Sequence, residues 1–226
     1  MEEKEGEKRE KLDLKQRWEK NLEIISNSKF LQEVVERNKR DYISIIIVVG
    51  GLGIGKSLYA VKLGEILDPS FGINNICFGV EEAINAFDAF PRGSCVILDE
   101  AGVEAHARDW QTRINKVLGY ATMILRQRGI NFILCLPRFS FLDKNIRLLG
   151  NFLVEMQDRG VGKVFRISDD PRAIESIKRD DKPIEVLKLE LPSLDLVREY
   201  EAKKESYVKS SMKEFLRELK QGKRKE

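Results

Sequence analysis

Apolar and polar positions along the chain switch repeatedly between two periods. Ile43-Ser44-Ile45-Ile46-Ile47-Val48-Val49 is a β-branched run of the kind that forms a strand buried on both faces. Leu58 to Leu67, after a glycine-rich interval, suits a helix. Asn75 to Phe78 then predicts a short strand, Val80 to Phe90 a helix, Pro91-Arg92-Gly93 a turn, and Cys95-Val96-Ile97-Leu98 a further buried strand. Ile114, Val117, Leu118, Ala121, Ile124 and Leu125 recur at helical spacing, marking an amphipathic helix that ends near Arg126-Gln127-Arg128-Gly129. Ile130 to Leu136 predicts the next strand and Ser140 to Leu149 a helix. Asn151 to Met156 and Lys163 to Ser168 predict a hairpin around Asp158-Arg159-Gly160. Strands and helices in alternation imply an α/β fold with a mainly parallel sheet and a late β-hairpin.

The two ends have a different texture. Glu7 to Arg40 is highly charged, with Leu14, Trp18, Leu22 and Ile25 along one side, a break at Ser26-Asn27-Ser28, and a second apolar set at Leu31, Val34 and Val35. This predicts a helical arm rather than core. From Ser193, after Pro192, a long helix is expected towards Lys220, with Val197, Tyr200, Tyr207, Val208, Ser211, Met212, Phe215 and Leu219 roughly in register. Both helices are expected to dock on the domain or on a neighbour; residues 1–10 and the basic end from Lys220 are expected to be unstructured. The expected organisation is an N-terminal arm over 1–41, a central domain over 42–192, and a C-terminal helix and tail over 193–226.

The first strand runs straight into Gly50-Gly51-Leu52-Gly53-Ile54-Gly55-Lys56-Ser57, which fits G-x-x-x-x-G-K-[ST]. Glycines are needed because the loop must curl closely enough round phosphates for its amides to point inward. Lys56 adds a point charge and Ser57 a hydroxyl for Mg²⁺. Gly50, Gly51, Gly53, Ile54, Gly55, Lys56, Ser57 and Leu58 are thus the candidate ATP-binding residues. The buried-type strand before the loop and the helix after it supply the context this motif requires. With the motif in place, a RecA-like P-loop three-layer sandwich is the natural topology, since crossovers between parallel strands are right-handed. Asp99 and Glu100 end the strand that begins at Cys95. Asp99 is the second candidate Mg²⁺ residue beside Ser57, and Glu100 the candidate that polarises an attacking water. Such a pair points to a hydrolase rather than a small-molecule kinase.

Composition narrows the setting. The chain has 226 residues, of which 42% are hydrophobic, enough for one α/β domain with helical extensions. No apolar run approaches the length of about 18 residues needed for a membrane span, and the charged start lacks a signal-peptide core, so a cytoplasmic protein is expected. Cys77, Cys95 and Cys135 lie in apolar runs without metal-ligand spacing, which predicts buried reduced thiols. Charged residues make up 34% of the chain, a usage that leans towards a thermophile. The net charge is only +3, so any DNA contact has to come from a local patch or from a ring of subunits.

These motifs resemble the additional-strand, catalytic-glutamate division of P-loop ATPases, with Ile130 to Leu136 expected between the phosphate-loop strand and the Asp99-Glu100 strand. Ile124 to Leu134, followed by Arg138-Phe139-Ser140 and Asn145-Ile146-Arg147, is similar to a stretch of FtsK and HerA translocases and of the related Zot-like and viral genome-packaging ATPases. The resemblance spans about residues 43–168. It implies a homo-oligomeric ring, usually a hexamer, with nucleotide between subunits and double-stranded DNA in the channel. It also implies an arginine finger, for which Arg126, Arg128 and Arg138 are the candidates. Two departures stand out: Pro137 occupies the position where many FtsK-like enzymes carry a polar sensor, and the transmembrane segment of membrane-anchored Zot-like proteins has no counterpart. Gly102 to Arg113, with His106, Arg108, Trp110 and Arg113, interleaves basic and aromatic groups suited to DNA contact. The expectation is an Mg²⁺-dependent ATPase that moves double-stranded DNA, as a viral packaging motor acting in the host cytoplasm or virion with a capsid or other assembly protein. The alternatives are an AAA+-like helicase loader or DNA-remodelling ATPase, and a nucleotide-switched assembly protein with little turnover.

Overall fold

The computed structural model describes residues 2–99, 119, 127–143, 147, 149–167 and 182–222. The elements in chain order are α1 (Glu2–Asn27), α2 (Lys29–Lys39), β1 (Ile45–Val49), α3 (Lys56–Leu67), β2 (Ile76–Cys77), α4 (Val80–Ala89), β3 (Cys95–Leu98), β4 (Asn131–Leu136), β5 (Phe152–Asp158), β6 (Val161–Arg166), β7 (Glu185–Lys188) and α5 (Leu194–Gly222). Short 3-10 turns cover Ile73–Asn75 and Phe139–Phe141.

The seven strands form one sheet in the order β2-β3-β4-β1-β5-β6-β7. Pairing is parallel from β2 to β5 and antiparallel across β5-β6 and β6-β7. β4 therefore lies between β1 and β3, where the sequence resemblance put the additional strand. The β-branched and aliphatic residues of the central strands divide between the two faces by simple alternation. Ile46 and Val48 join Phe30, Leu31, Val34, Leu63, Ile66 and Tyr200 beneath α2, α3 and α5. Ile45, Ile47 and Val49 join Ala83 and Phe87 of α4 on the other face. Helix, sheet and helix make the three layers of a RecA-like α/β sandwich.

Side chains seal the sheet's starting edge. Asn131 and Asn151, next to β1 on either side, accept from the Ser44 amide at 3.0 Å and the Ile45 amide at 2.9 Å. Amides that would otherwise be buried without partners are thereby satisfied.

The N-terminal helices depart from the expected arm. The helix begins at Glu2, within the stretch 1–10 expected to be unstructured, and it breaks at Ser28 as the sequence suggested. Ser28 caps α2 by accepting from the Leu31 amide at 3.1 Å, and Glu185 of β7 accepts from the Lys29 and Phe30 amides at 3.1 and 3.3 Å. A carboxylate facing the positive end of a helix dipole favours that docking. Phe30, Leu31 and Val34 are fully buried, with the Phe30 ring edge-on to Phe152 at 4.9 Å. α2 is part of the core.

Other departures are local. β7 was not expected from the sequence: it is a four-residue edge strand in which only Leu187 is buried. On α5 the buried positions are Leu196 and Tyr200, whereas Val208, Met212 and Phe215 are exposed, so the inward face turns away from the expected seam after Tyr207. The helix expected over Ser140 to Leu149 begins with a 3-10 turn, and positions 144–146 and 148 within it lie outside the described residues. The helix expected from Ile114 lies almost wholly outside them as well. Cys77, Cys95 and Cys135 are buried free thiols. Among the described residues no helix is long and apolar enough to cross a membrane.

Candidate functional site

The glycine-rich loop leaves the C-terminal end of β1 and enters α3, as its motif requires. Gly53 and Gly55 take positive φ values of 73° and 89°, a left-handed backbone that side-chain-bearing residues resist. Gly50 is constrained by space instead: a Cβ there would sit 2.9 Å from Met156 Cβ and 3.0 Å from Ile54 Cγ2. A Cβ on Gly51 or Gly53 would meet nothing within 4 Å, and both residues are exposed to solvent. Ile54, Gly55, Lys56, Ser57 and Leu58 are half-buried at the loop's end and the start of α3. Lys56 Nζ arches back to donate to the Gly51 carbonyl at 2.8 Å, which lays its charge along the loop.

Asp99 follows β3 and is 4% exposed. Its amide donates to the Cys77 carbonyl at 2.8 Å, holding the strand end against β2. Its Oδ1 accepts from Ser57 Oγ at 2.9 Å, across the width of β4. A hydroxyl and a carboxylate brought together beside a helix N-terminus and a glycine loop form a donor set suited to Mg²⁺ on a phosphate. The geometry fits the expected ligands: the oxygen pair for the cation, the loop and Lys56 for the anion.

The other carboxylate oxygen is also engaged. Tyr200 Oη, from α5, donates to Asp99 Oδ2 at 2.6 Å. Lys204 Nζ donates to the same phenol oxygen at 2.6 Å and lies 3.5 Å from Asp99 Oδ2. Burial, and after it the negative charge of Asp99, pushes the Tyr200 phenol well above its usual 10, so it stays protonated and donates. α5 is anchored here by Phe78, whose ring stacks on Tyr207 at 5.4 Å and tilts against Tyr200 at 5.9 Å. Lys203 adds an ion pair to Glu82 at 2.6 Å. Sequence reasoning counted Tyr200 as a packing position and missed its hydroxyl; the one available signal was a lysine one helical turn on.

The arginine candidates separate. Glu100 and Arg126 lie outside the described residues. Arg128 precedes β4 and is ion-paired with Asp88, so it stands at the starting edge of the parallel strands, opposite the phosphate loop. Strands of five or six residues put about 15–20 Å between those edges. Arg138 follows the other end of β4, on the loop's edge, and is exposed. Pro137 sits beside it, half-buried. Arg159, read from the sequence only as a turn residue, is a further cation at that edge. A Cβ on Gly55 would be 3.7 Å from Arg159 Cγ, so the Arg159 side chain lies against the glycine-rich loop.

No protein-family profile matches the chain. No curated protein matches it either. Among solved structures, it is similar to the N-terminal domain of zonular occludens toxin from Neisseria meningitidis, at 18% identity over 68% of this chain and 98% of that one, with a TM-score of 0.40. A likeness of that size carries no argument about activity, and the strand order of the sheet itself remains the basis for the fold.

Proposed function

We propose that this chain is an Mg²⁺-dependent ATPase that moves double-stranded DNA as a homo-oligomeric ring, with viral genome packaging as the task. The observation that carries the ATPase part is the Ser57–Asp99 contact at 2.9 Å, made beside a left-handed glycine loop in a sheet ordered β3-β4-β1. In this reading the amides from Gly50 to Leu58 and the Lys56 ammonium hold the phosphates of ATP, while Ser57 and Asp99 hold the cation. When bound, Mg²⁺ supplies positive charge to the transferring phosphoryl group. Glu100, directly after Asp99, orients and polarises the attacking water. Arg138, which is exposed, is the preferred finger over Arg128, whose guanidinium is ion-paired with Asp88.

The ring, the DNA and a capsid or other assembly partner rest on the sequence resemblance over about residues 43–168. The test is steady-state ATP hydrolysis with and without long double-stranded DNA, at low salt and elevated temperature, with Glu100→Gln as the blank. Turnover stimulated by DNA is expected. Lys56→Ala should abolish nucleotide binding, whereas Glu100→Gln should bind and not turn over. Turnover indifferent to every nucleic acid would sink the translocase reading.

A second reading, a nucleotide-switched assembly protein with little turnover, is favoured by one observation. Tyr200 and Lys204 engage Asp99 from a helix outside the sheet, which ties the site to α5. Tight nucleotide binding with negligible hydrolysis would select it.

A further inference from the structure

Asp99 is nearly inaccessible to solvent, and both of its oxygens have partners. A carboxylate so placed needs a compensating charge. Lys56 is turned towards the Gly51 carbonyl. The Lys204 ammonium, 3.5 Å from Oδ2, supplies that charge from α5. The placement does not depend on Asp99 itself: Leu196 and Tyr200 are buried in the core, Phe78 stacks on Tyr207, and Lys203 pairs with Glu82 and donates to the Ile76 carbonyl. α5 is therefore fixed over the ends of β2 and β3 by contacts of its own, and it presents Tyr200 and Lys204 to the site.

We propose that α5 is a working part of the nucleotide–cation site, with Tyr200 as the residue that positions the Asp99 carboxylate and Lys204 as the counter-ion that opposes an incoming divalent cation. The inference rests on the reading that Ser57 and Asp99 hold that cation. With Oδ2 held by Tyr200, Oδ1 and the Ser57 hydroxyl form the face left to the metal. A divalent cation arriving there brings further positive charge to a carboxylate that Lys204 already neutralises, and the two cations repel. By linkage the effect is reciprocal: removing the Lys204 charge tightens metal binding, and binding the metal weakens the contact between Lys204 and Asp99. The Lys204 contact thereby depends on whether the site is loaded.

The test uses the full chain, with Mn²⁺ as the probe and a non-hydrolysable ATP analogue present. Lys204→Met is expected to bind Mn²⁺ about fivefold more tightly, at the low end for coupled sites because Lys204 is partly exposed. Lys204→Arg, which keeps the charge, should stay at the wild-type value. Tyr200→Phe is expected to weaken Mn²⁺ binding by a factor of about five, while analogue affinity in EDTA stays unchanged. Unchanged or weaker Mn²⁺ binding by Lys204→Met overturns the counter-ion role, and wild-type binding by Tyr200→Phe overturns the positioning role. A wild type that binds neither Mn²⁺ nor analogue overturns the functional reading itself, an outcome distinct from a wild type that binds alongside variants that bind equally well.

Discussion

Replacing Glu65 with Leu removes the partner of a buried lysine in α3, the helix that carries Lys56 and Ser57. The Lys62 and Glu65 side chains are 9% and 4% exposed and lie 3.0 Å apart. Glu65 also accepts from the Ser193 amide at 3.1 Å, and Arg17 of α1 approaches it at 3.8 Å. Arg17 is about one-third exposed and can turn to water; Lys62 cannot. Breaking one side of a buried pair costs about 3–5 kcal/mol, because the remaining charge is left uncompensated. Glu65→Leu should therefore lose at least about 3 kcal/mol, a large part of a typical total of about 5–15 kcal/mol. The double variant Lys62→Met/Glu65→Leu should recover part of that loss, leaving mainly the unpaired Ser193 amide at about 1–3 kcal/mol. Urea denaturation followed by circular dichroism near neutral pH, with slopes compared across variants, reads both numbers. A single variant within about 1 kcal/mol of wild type, or a double variant less stable than the single, would refute the reasoning.

Burial sets two further outcomes. Phe30→Ala should cost about 3–5 kcal/mol in the same denaturation assay, since the ring is fully buried against Phe152; a loss under about 1 kcal/mol would show α2 to be a loosely docked arm. Burial, and next the charge of Glu82, pushes the Cys77 thiol from 9.0 up to about 12. The folded state therefore holds this proton more tightly than the unfolded chain. That contribution is fully present below about pH 9 and is lost as pH rises from 9 towards 12, at about 1.4 kcal/mol per pH unit for one group. Melting temperature followed from about pH 8 to 11 should fall across that window, and a flat profile would contradict the assignment.

The features legible in the sequence share a local origin. Glycine spacing fixes the loop from Gly50 to Ser57, and continuous β-branched runs fix β1, β3 and β4, because strand burial and loop curvature are written in neighbouring residues. The break at Ser28 was legible for the same reason: a serine caps the helix that starts beside it. β7 was not, because a four-residue edge strand buries one side chain and leaves no alternation to detect. Lys62 and Glu65 were equally opaque. Every position from Tyr59 to Leu67 is buried, so this part of α3 has no polar face on which charges would stand out. The Tyr200 contact with Asp99 joins residues 101 apart in sequence, and only the fold brings them together.

The clasp between Glu185 and the start of α2 also has a consequence for synthesis. Two of the residues that hold the N-terminal helices are made late: Glu185 lies 157 positions beyond Ser28, and Glu190 lies 170 beyond its partner Lys20. At roughly 5–20 residues per second, about eight to thirty seconds pass between the synthesis of Ser28 and that of Glu185. Phe152, the ring partner of Phe30, lies 122 positions beyond it, so the cover over Phe30 is incomplete until β5 has been made. The dense charge of α1 favours solubility of this stretch of the nascent chain until the sheet encloses α2.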